Sequence, residues 1–273
     1  MKFSKLKKIP NKVSTLCLGT HNFFKDKLNN RRVIEKFLNT ATDSNINFFD
    51  TADSYANGNA EKILGQYIKK NNLKKITIAT KIGPLINFNP NLLQKSIDES
   101  LKRLNTECID ICYFHSGENK NFFNDDYWNI MNKNLNNKIK VLGLSLKSSL
   151  LHKSDTSQIE SCKKYNISLV NLLFNPLFSQ TQNKFFKMIK KNNLDLITRV
   201  PFAKGALFLN ENAQSKDFTS KDLKKAFSLI SKIKRKSVNL KILEWVKKNS
   251  NCKSIVLGCS SNSQIIENTK FTK

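Results

Sequence analysis

The chain has 273 residues but only 8 glycines, and none of them fall in the G-x-G-x-x-G spacing that opens a dinucleotide-binding βαβ unit. Gly19-Thr20-His21 follows the first apolar run instead, which argues against an open doubly wound sheet. Long apolar stretches are also missing, and nothing approaches the roughly 20 residues of a membrane-spanning helix. The basic start (Lys2, Lys5, Lys7, Lys8) runs into Pro10 and Asn11 rather than into an apolar core with a small-residue cleavage site, so no signal peptide is expected. Six cysteines (Cys17, Cys108, Cys112, Cys162, Cys252, Cys259) contain no zinc-type C-x-x-C pair and read as buried free thiols, with no metal expected. No internal repeat or low-complexity linker is visible. A soluble cytoplasmic protein is the expectation.

Positive charge is what the chain has in excess: 47 Lys and Arg against 21 Asp and Glu, a net +26. Such a surface strengthens nucleic-acid binding through counterion release. The lysines, however, spread over every expected helix, often beside asparagine. The one dense cluster, Lys232-Ile233-Lys234-Arg235-Lys236, is expected within a helix and lacks interleaved aromatics or helix-turn-helix punctuation. The reading is a solvated basic face with no nucleic-acid or membrane partner. Its field favours anionic small molecules, such as phosphorylated or nucleotide-linked compounds.

Short β-rich apolar runs alternate with helical patterns along the whole length. Strands are expected at 15–18, 47–49, 76–80, 109–114, 140–144, 169–173, 195–198 and 254–257. Between them lie apolar residues at helical spacing, including Val33, Phe37 and Ala41, then Ile63, Leu64, Tyr67 and Ile68, then the stretches 92–104 and 240–246. Eight alternations without a composition break predict the α/β class, a (β/α)8 TIM barrel of eight parallel strands in one domain over 1–273. Residues 2–12 are expected to form a small hairpin closing its bottom, and 208–219 a mobile loop over the site.

Active sites of such barrels lie at the C-terminal strand ends. Asp50 ends the second expected strand, Lys81 follows the third and His115 the fourth, and Tyr55 lies five positions beyond Asp50. Taken singly, each has a plain structural reading; Asp50 suits a helix cap and Lys81 a surface position. Together on one rim they make a proton-donating set. A phenol is a weak acid unless its anion is stabilised, and a neighbouring ammonium does this. A carboxylate keeps a buried ammonium charged, and an imidazole orients a carbonyl and shares in its protonation.

The segment 49–65 resembles the aldo-keto reductase pattern FDTAxxYGxGxxExxLG, with Ala56 in place of a glycine. Ala79-Thr80-Lys81, the run 96–104, Ile109-Asp110-Ile111 with His115, and Lys140-Val141-Leu142-Gly143-Leu144-Ser145 are also similar to that family. So are Phe174-Asn175-Pro176, Leu243-Glu244-Trp245-Val246, Ser254-Ile255-Val256-Leu257-Gly258 and Gln264-Ile265-Ile266-Glu267-Asn268. The resemblance implies a (β/α)8 barrel that reduces a small-molecule carbonyl with NADPH, or with NADH. It assigns Asp50, Tyr55, Lys81 and His115 to a catalytic tetrad with Tyr55 as general acid. The cofactor-binding residues it implies are Gly19, Thr20, Asp50, Ser145, Asn171, Arg199, Phe202, Lys204, Gly258, Ser260, Gln264, Glu267 and Asn268.

Several positions depart from the family. Leu146 replaces an asparagine, Asn171 a glutamine, and Arg199 a tyrosine that stacks on the nicotinamide. Arg199 reads either as a planar cation stacked in its place or as a rim ion pair, and Lys204 as a pyrophosphate ligand or a plain surface lysine. No Lys or Arg occupies the final strand–helix loop, which leaves NADH open beside NADPH. The chain stops shortly after Asn268, where longer members carry a pocket-shaping segment, so an open pocket is expected. The stretch from Arg199 to Leu207 is similar to branches acting in surface-polysaccharide pathways, which implies a sugar or nucleotide-sugar carbonyl. A non-catalytic cofactor-binding or regulatory member of the same fold is the alternative.

Overall fold

The computed structural model describes every residue except 22–23, 25–29, 179–182, 210–211, 215–217, 235–236 and 273. Two short strands, β1 (Phe3–Ser4) and β2 (Val13–Ser14), pair antiparallel as the expected hairpin. Eight parallel strands then close into one barrel: β3 (Leu16–Gly19), β4 (Phe48–Asp50), β5 (Thr77–Ile82), β6 (Ile109–His115), β7 (Ile139–Ser145), β8 (Ile167–Leu173), β9 (Asp195–Arg199) and β10 (Ser254–Gly258), with β10 pairing back onto β3. Each expected strand is present. Most run further at the C-terminal end than the apolar pattern does, because the ladder carries on into a polar or glycine residue that faces the barrel mouth.

Alternation divides the side chains into two layers. Cys17, Phe48, Ala79, Ile111, Tyr113, Val141, Leu169, Ile197 and Val256 point inward and pack with Leu6, Ile9 and Val13 of the hairpin region. Their neighbours, such as Leu16, Leu18, Phe49, Cys112 and Phe114, face outward into the layer under the helices. The hairpin is fastened where β9 begins, as the Lys7 backbone N–H donates to the Asp195 carboxylate at 2.6 Å. It is thus a plug at the bottom of the barrel, opposite the mouth.

The longer helices are α1 (Arg31–Asp43), α2 (Asn59–Lys70), α3 (Pro90–Leu104), α4 (Asp125–Asn134), α5 (Asn183–Lys191), α6 (Ser220–Ser231), α7 (Val238–Ser250) and α8 (Asn262–Thr269). In α1 the buried stripe is Ile34, Phe37, Leu38 and Ala41, while Val33, expected inside, is exposed. With few glycines available, asparagine takes the left-handed positions that end helices. Asn105 after α3 (φ 53°) and Asn251 after α7 (φ 50°) are examples, and its short polar side chain tolerates that conformation. Gly65 is kept where α2 crosses the end of α3, since a Cβ there would stand 2.4 Å from the Leu104 carbonyl oxygen.

Two expectations need correction. Within the basic cluster, 232–234 are not helical: α6 ends at Ser231, Lys232 is its cap, and 235–236 lie outside the described residues. Cys108 is half-exposed, whereas the other five thiols are buried; all six are free. In the segment 208–219, Phe208 ends a short helical turn (Ala203–Phe208), and 210–211 and 215–217 lie outside the described residues. Among the described residues no helix is long and apolar enough to cross a membrane.

The plug carries a direct test. Leu6 is 1% exposed, and Leu6→Ala is expected to cost about 2–5 kcal/mol through lost burial and the cavity left behind. Urea unfolding followed by tryptophan fluorescence measures it; a midpoint equal to wild type would mean that the hairpin does not seal the barrel.

Candidate active site

The site begins with a loop stitched onto its neighbouring strand. After β4 the chain runs alongside β5, with Thr51 N–H donating to the Ala79 carbonyl (2.8 Å) and Asp53 N–H to the Lys81 carbonyl (3.1 Å). That pairing carries Tyr55 back over the end of β5. The Lys81 ammonium then spends its three protons on the Asp50 carboxylate (2.5 Å), the Thr51 carbonyl (2.6 Å) and the Tyr55 hydroxyl (3.2 Å). It also lies 4.6 Å from the centre of the Tyr55 ring.

Lys81 and Asp50 are almost wholly enclosed, their side chains 2% and 6% exposed. Burial pushes the ammonium toward losing its proton. The charges of Asp50 and Tyr55 and the hydrogen bonds to both outweigh this, and the Lys81 pKa stands above the ordinary lysine value. The amine is therefore a fixed cation aimed at a phenol.

His115 ends β6 with its ring 6.0 Å from that of Tyr55. Burial first, then the charges of Lys81, Arg199 and His21, push its pKa down to about 3. At neutral pH it is an uncharged imidazole, which can act on an oxygen by hydrogen bonding but not as an imidazolium acid. His21, directly after the β3 end, packs edge-on against Tyr55 at 4.7 Å. Sequence reasoning passed over His21, although its place one residue beyond Thr20 at a strand terminus was the available signal.

The residues expected around a cofactor lie on the same rim. Thr20 binds back to the Asp50 carbonyl (N–H, 3.0 Å) and to the Thr51 hydroxyl (3.0 Å). Gly19 admits no side chain easily, because a Cβ would meet the Leu257 carbonyl oxygen at 3.1 Å. Ser145 is buried with its hydroxyl 3.3 Å from that of Ser116. Asn171, one methylene shorter than the family glutamine, turns to Asp50, with its amide 3.4 Å from the free carboxylate oxygen.

Arg199 bonds the Leu146 carbonyl at 2.6 Å through Nη2, and its Nη1 is buried without a partner. Burial lowers its pKa, while Tyr55, Asp50 and Tyr113 act the other way, which places the guanidinium within electrostatic reach of the phenol. No ion pair to Arg199 exists among the described residues, so the rim ion-pair reading is not what the structure shows.

The turn that follows is strained. Val200 (φ 57°), Ala203 (φ 50°) and Lys204 (φ 56°) all adopt left-handed backbone, which is least favourable for a β-branched residue. Buried Asn175 clamps it, donating to the Val200 carbonyl at 2.9 Å while its own carbonyl accepts from the Leu177 and Phe178 N–H groups. Phe202 packs on Phe208 at 5.3 Å, and Lys204 is exposed.

Beyond β10, Gly258 faces open space and the Ser260 N–H donates to the Gln264 side chain at 2.7 Å. Glu267 pairs with Lys270 (2.5 Å) and accepts from Ser237 (3.1 Å). Asn268 is buried between Asn239 and Cys259. These last two brace the loop with their own partners.

Below the rim lies a second polar cluster. Glu61 on α2 is fully buried and accepts from Arg103 (2.7 Å) and from the hydroxyls of Thr80 and Ser100. Asp53 is buried beside it. Sequence reasoning gave these residues no role; an acid on the inner face of an otherwise apolar helix stripe was the signal.

The aldo/keto reductase family model matches residues 15–273, and the chain belongs to that family. It is 28% identical over 99% of its length, and 90% of the other's, to a protein of Arabidopsis thaliana described as "Probable voltage-gated potassium channel subunit beta". It is 26% identical to an aldo-keto reductase [NADP(+)] of Schizosaccharomyces pombe, over 70% of this chain and 58% of that one. The holo form of an aldo-keto reductase from Bacillus halodurans has the same fold, with a TM-score of 0.81 at 22% identity, covering 100% of this chain and 91% of the other.

Two measurements test the electrostatics. Lys81→Met leaves Asp50 buried without its cation and is expected to cost about 3–5 kcal/mol of stability, read by chemical denaturation; a loss below about 1 kcal/mol would show that the pair is effectively solvated. The His115 ring resonances, identified by their absence from His115→Gln, are expected to hold steady between about pH 5 and pH 8. A midpoint inside that range would show the imidazole to be charged at the acidic end.

Proposed function

We propose that the protein is an NAD(P)H-dependent reductase of aldehydes or ketones in which Tyr55 gives its proton to the oxygen of the carbonyl being reduced. The observation that carries this reading is the 3.2 Å contact between the Lys81 ammonium and the Tyr55 hydroxyl, backed by Asp50 at 2.5 Å. A reduced nicotinamide, when bound, supplies the hydride. Everything else falls to the chain. Neutral His115 holds the carbonyl oxygen at the mouth, Tyr55 passes its hydroxyl proton to that oxygen as negative charge builds on it, and Lys81 stabilises the phenolate left behind. Asp50 keeps Lys81 charged through the cycle.

The rim suits the nicotinamide group on an observation of its own. A carboxamide needs one donor and one acceptor, and the buried Arg199 Nη1 and Asn171 Oδ1 are a donor and an acceptor without protein partners. Gly19, Thr20, Asp50, Ser145, Asn171 and Arg199 are the residues proposed for the nicotinamide end. Phe202 and Lys204 are proposed for the pyrophosphate, and Gly258, Ser260 and Gln264, with Glu267 and Asn268 behind them, for the adenosine end. NADPH is the proposed cofactor, consistent with the [NADP(+)] of the S. pombe relative. NADH is the alternative, because 258–264 carries no cation. The net charge of +26 favours an anionic carbonyl compound, a sugar or nucleotide sugar among them.

A second reading is a cofactor-binding or regulatory protein without turnover. It is favoured by Leu146, Asn171 and Arg199 standing where the family usually has other residues, and by the channel-subunit description of the A. thaliana relative. One experiment separates the two. Tyr55→Phe is expected to lower reduction of an activated aldehyde by about 10²-fold or more, while fluorescence titration shows unchanged NADPH affinity. Reduction at the wild-type rate would remove Tyr55 as the acid. Saturable NADPH binding without turnover in wild type would favour the second reading.

A further inference from the structure

Asp53 lies in the turn that carries Tyr55 over the end of β5. Its backbone N–H donates to the carbonyl of Lys81 at 3.1 Å, and Tyr55 follows two residues later. The side chain is fully buried, and neither carboxylate oxygen has a hydrogen-bond partner. Four elements bring titratable groups toward it: Glu61 on α2, Arg103 on α3, Cys112 on β6 and Tyr127 on α4. The backbone N–H groups of Ser54 and Gly83 lie near without closing a hydrogen bond.

Arg103 is the one cation in that group, and it is committed to Glu61. Glu61 is thus a satisfied carboxylate, and Asp53 is a second one beside it with no counter-ion. A dry, unpartnered carboxylate next to another is strongly disfavoured as an anion.

We propose that Asp53 is a positioning residue for Tyr55, holding the 51–58 turn against β5 while it carries a proton and releasing it when that proton is lost. Burial and then the charge of Glu61 raise its pKa to about 7, against smaller opposing effects of the Ser54 N–H, Arg103 and the Gly83 N–H. An unfolded aspartate titrates near 3.9. Between about 3.9 and about 7 the folded chain therefore binds the extra proton. Stability from this residue is full below that window, is lost as pH rises through it, and stays lost above it. Once ionised, Asp53 repels Glu61, and the turn that moves away carries the hydroxyl of the 3.2 Å contact. The effect on turnover rests on the reductase reading; the effect on the turn does not.

Asp53→Asn, which is isosteric and uncharged at every pH, tests this, with Asp53→Ser in its place if the first variant does not fold. In wild type, NADPH-dependent reduction of 4-nitrobenzaldehyde is expected to lose about tenfold in kcat from about pH 6 to about pH 8, following the protonated fraction. The variant is expected to hold its rate across that range, with the KM for NADPH unchanged. His115 is uncharged throughout and does not supply the step. Two further readouts are independent of turnover. The infrared band of a protonated carboxyl is expected in wild type at about pH 6 and absent from the variant. The thermal midpoint of the variant is expected to exceed that of wild type at about pH 8 but not at about pH 5. A pH profile shared by both proteins, or a midpoint difference that does not change with pH, overturns the proposal. If no aldehyde is reduced but the band and the pH-dependent midpoint difference are both present, Asp53 holds the turn as proposed and the reductase reading fails.

Discussion

The structure depends on a lysine ammonium that has been taken out of water and given no freedom. Lys81 reaches Asp50, the Thr51 carbonyl and Tyr55 at once. An ammonium has three protons to donate, so nothing is left over for solvent. Placing it there is unfavourable unless a carboxylate and a carbonyl already point inward at the right distance. A closed parallel barrel provides this, because neighbouring strand ends lie side by side and the inward residues of β4 and β5 project next to one another into the same lumen. The chemistry and the topology are one constraint: an open sheet would leave the ammonium hydrated and the phenol without a fixed partner.

Much of this was legible in the sequence, and the reason is periodicity. Eight β-rich apolar runs separated by amphipathic helices leave few architectures open, and the barrel strands fall on those runs. What the apolar pattern blurred was the strand ends. A hydrophobic run stops where the packed core stops, but β4, β6, β7 and β9 carry on to Asp50, His115, Ser145 and Arg199, whose polar side chains line the mouth. The site was found because polar residues sat just beyond each apolar run. Gly19 and Gly258, implied by the family resemblance, end β3 and β10 in the same manner.

Other features could not be read in this way. Asp53 has no sequence signal of its own, and only the tertiary fold shows it sealed beside Glu61. Val33 has the spacing of a core residue, but the stripe of α1 is centred one position later, on Ile34 and Phe37. The lysines at 232–236 suited a helix by propensity, yet α6 ends at Ser231 once its inner face has been used. Asn171 was read as a cofactor ligand by position. Its side-chain amide reaches down to Asp50, a contact that the residue type alone does not announce.

Counting charges in the layer under the mouth connects the site to the basic character of the whole molecule. Lys81 is matched by Asp50 and Arg103 by Glu61, and with Asp53 protonated no further anion is present among these residues. Arg199 is then the cation left over, half-buried and, among the described residues, held by the Leu146 carbonyl without a carboxylate. In a chain with more than twice as many basic as acidic residues, the few carboxylates near the site neutralise the cations that must remain buried, and they leave one uncompensated. An uncompensated guanidinium beside a phenol favours whatever state places negative charge between them. In the proposed reaction that state arises when Tyr55 gives up its proton: the phenolate then lies between Lys81, which touches it, and Arg199, which acts on it through space. The strained turn at Val200, held by Asn175, is what fixes the backbone just after Arg199. Strain there serves to keep a single charge in place, which is a sufficient reason for a barrel rim to retain a left-handed valine.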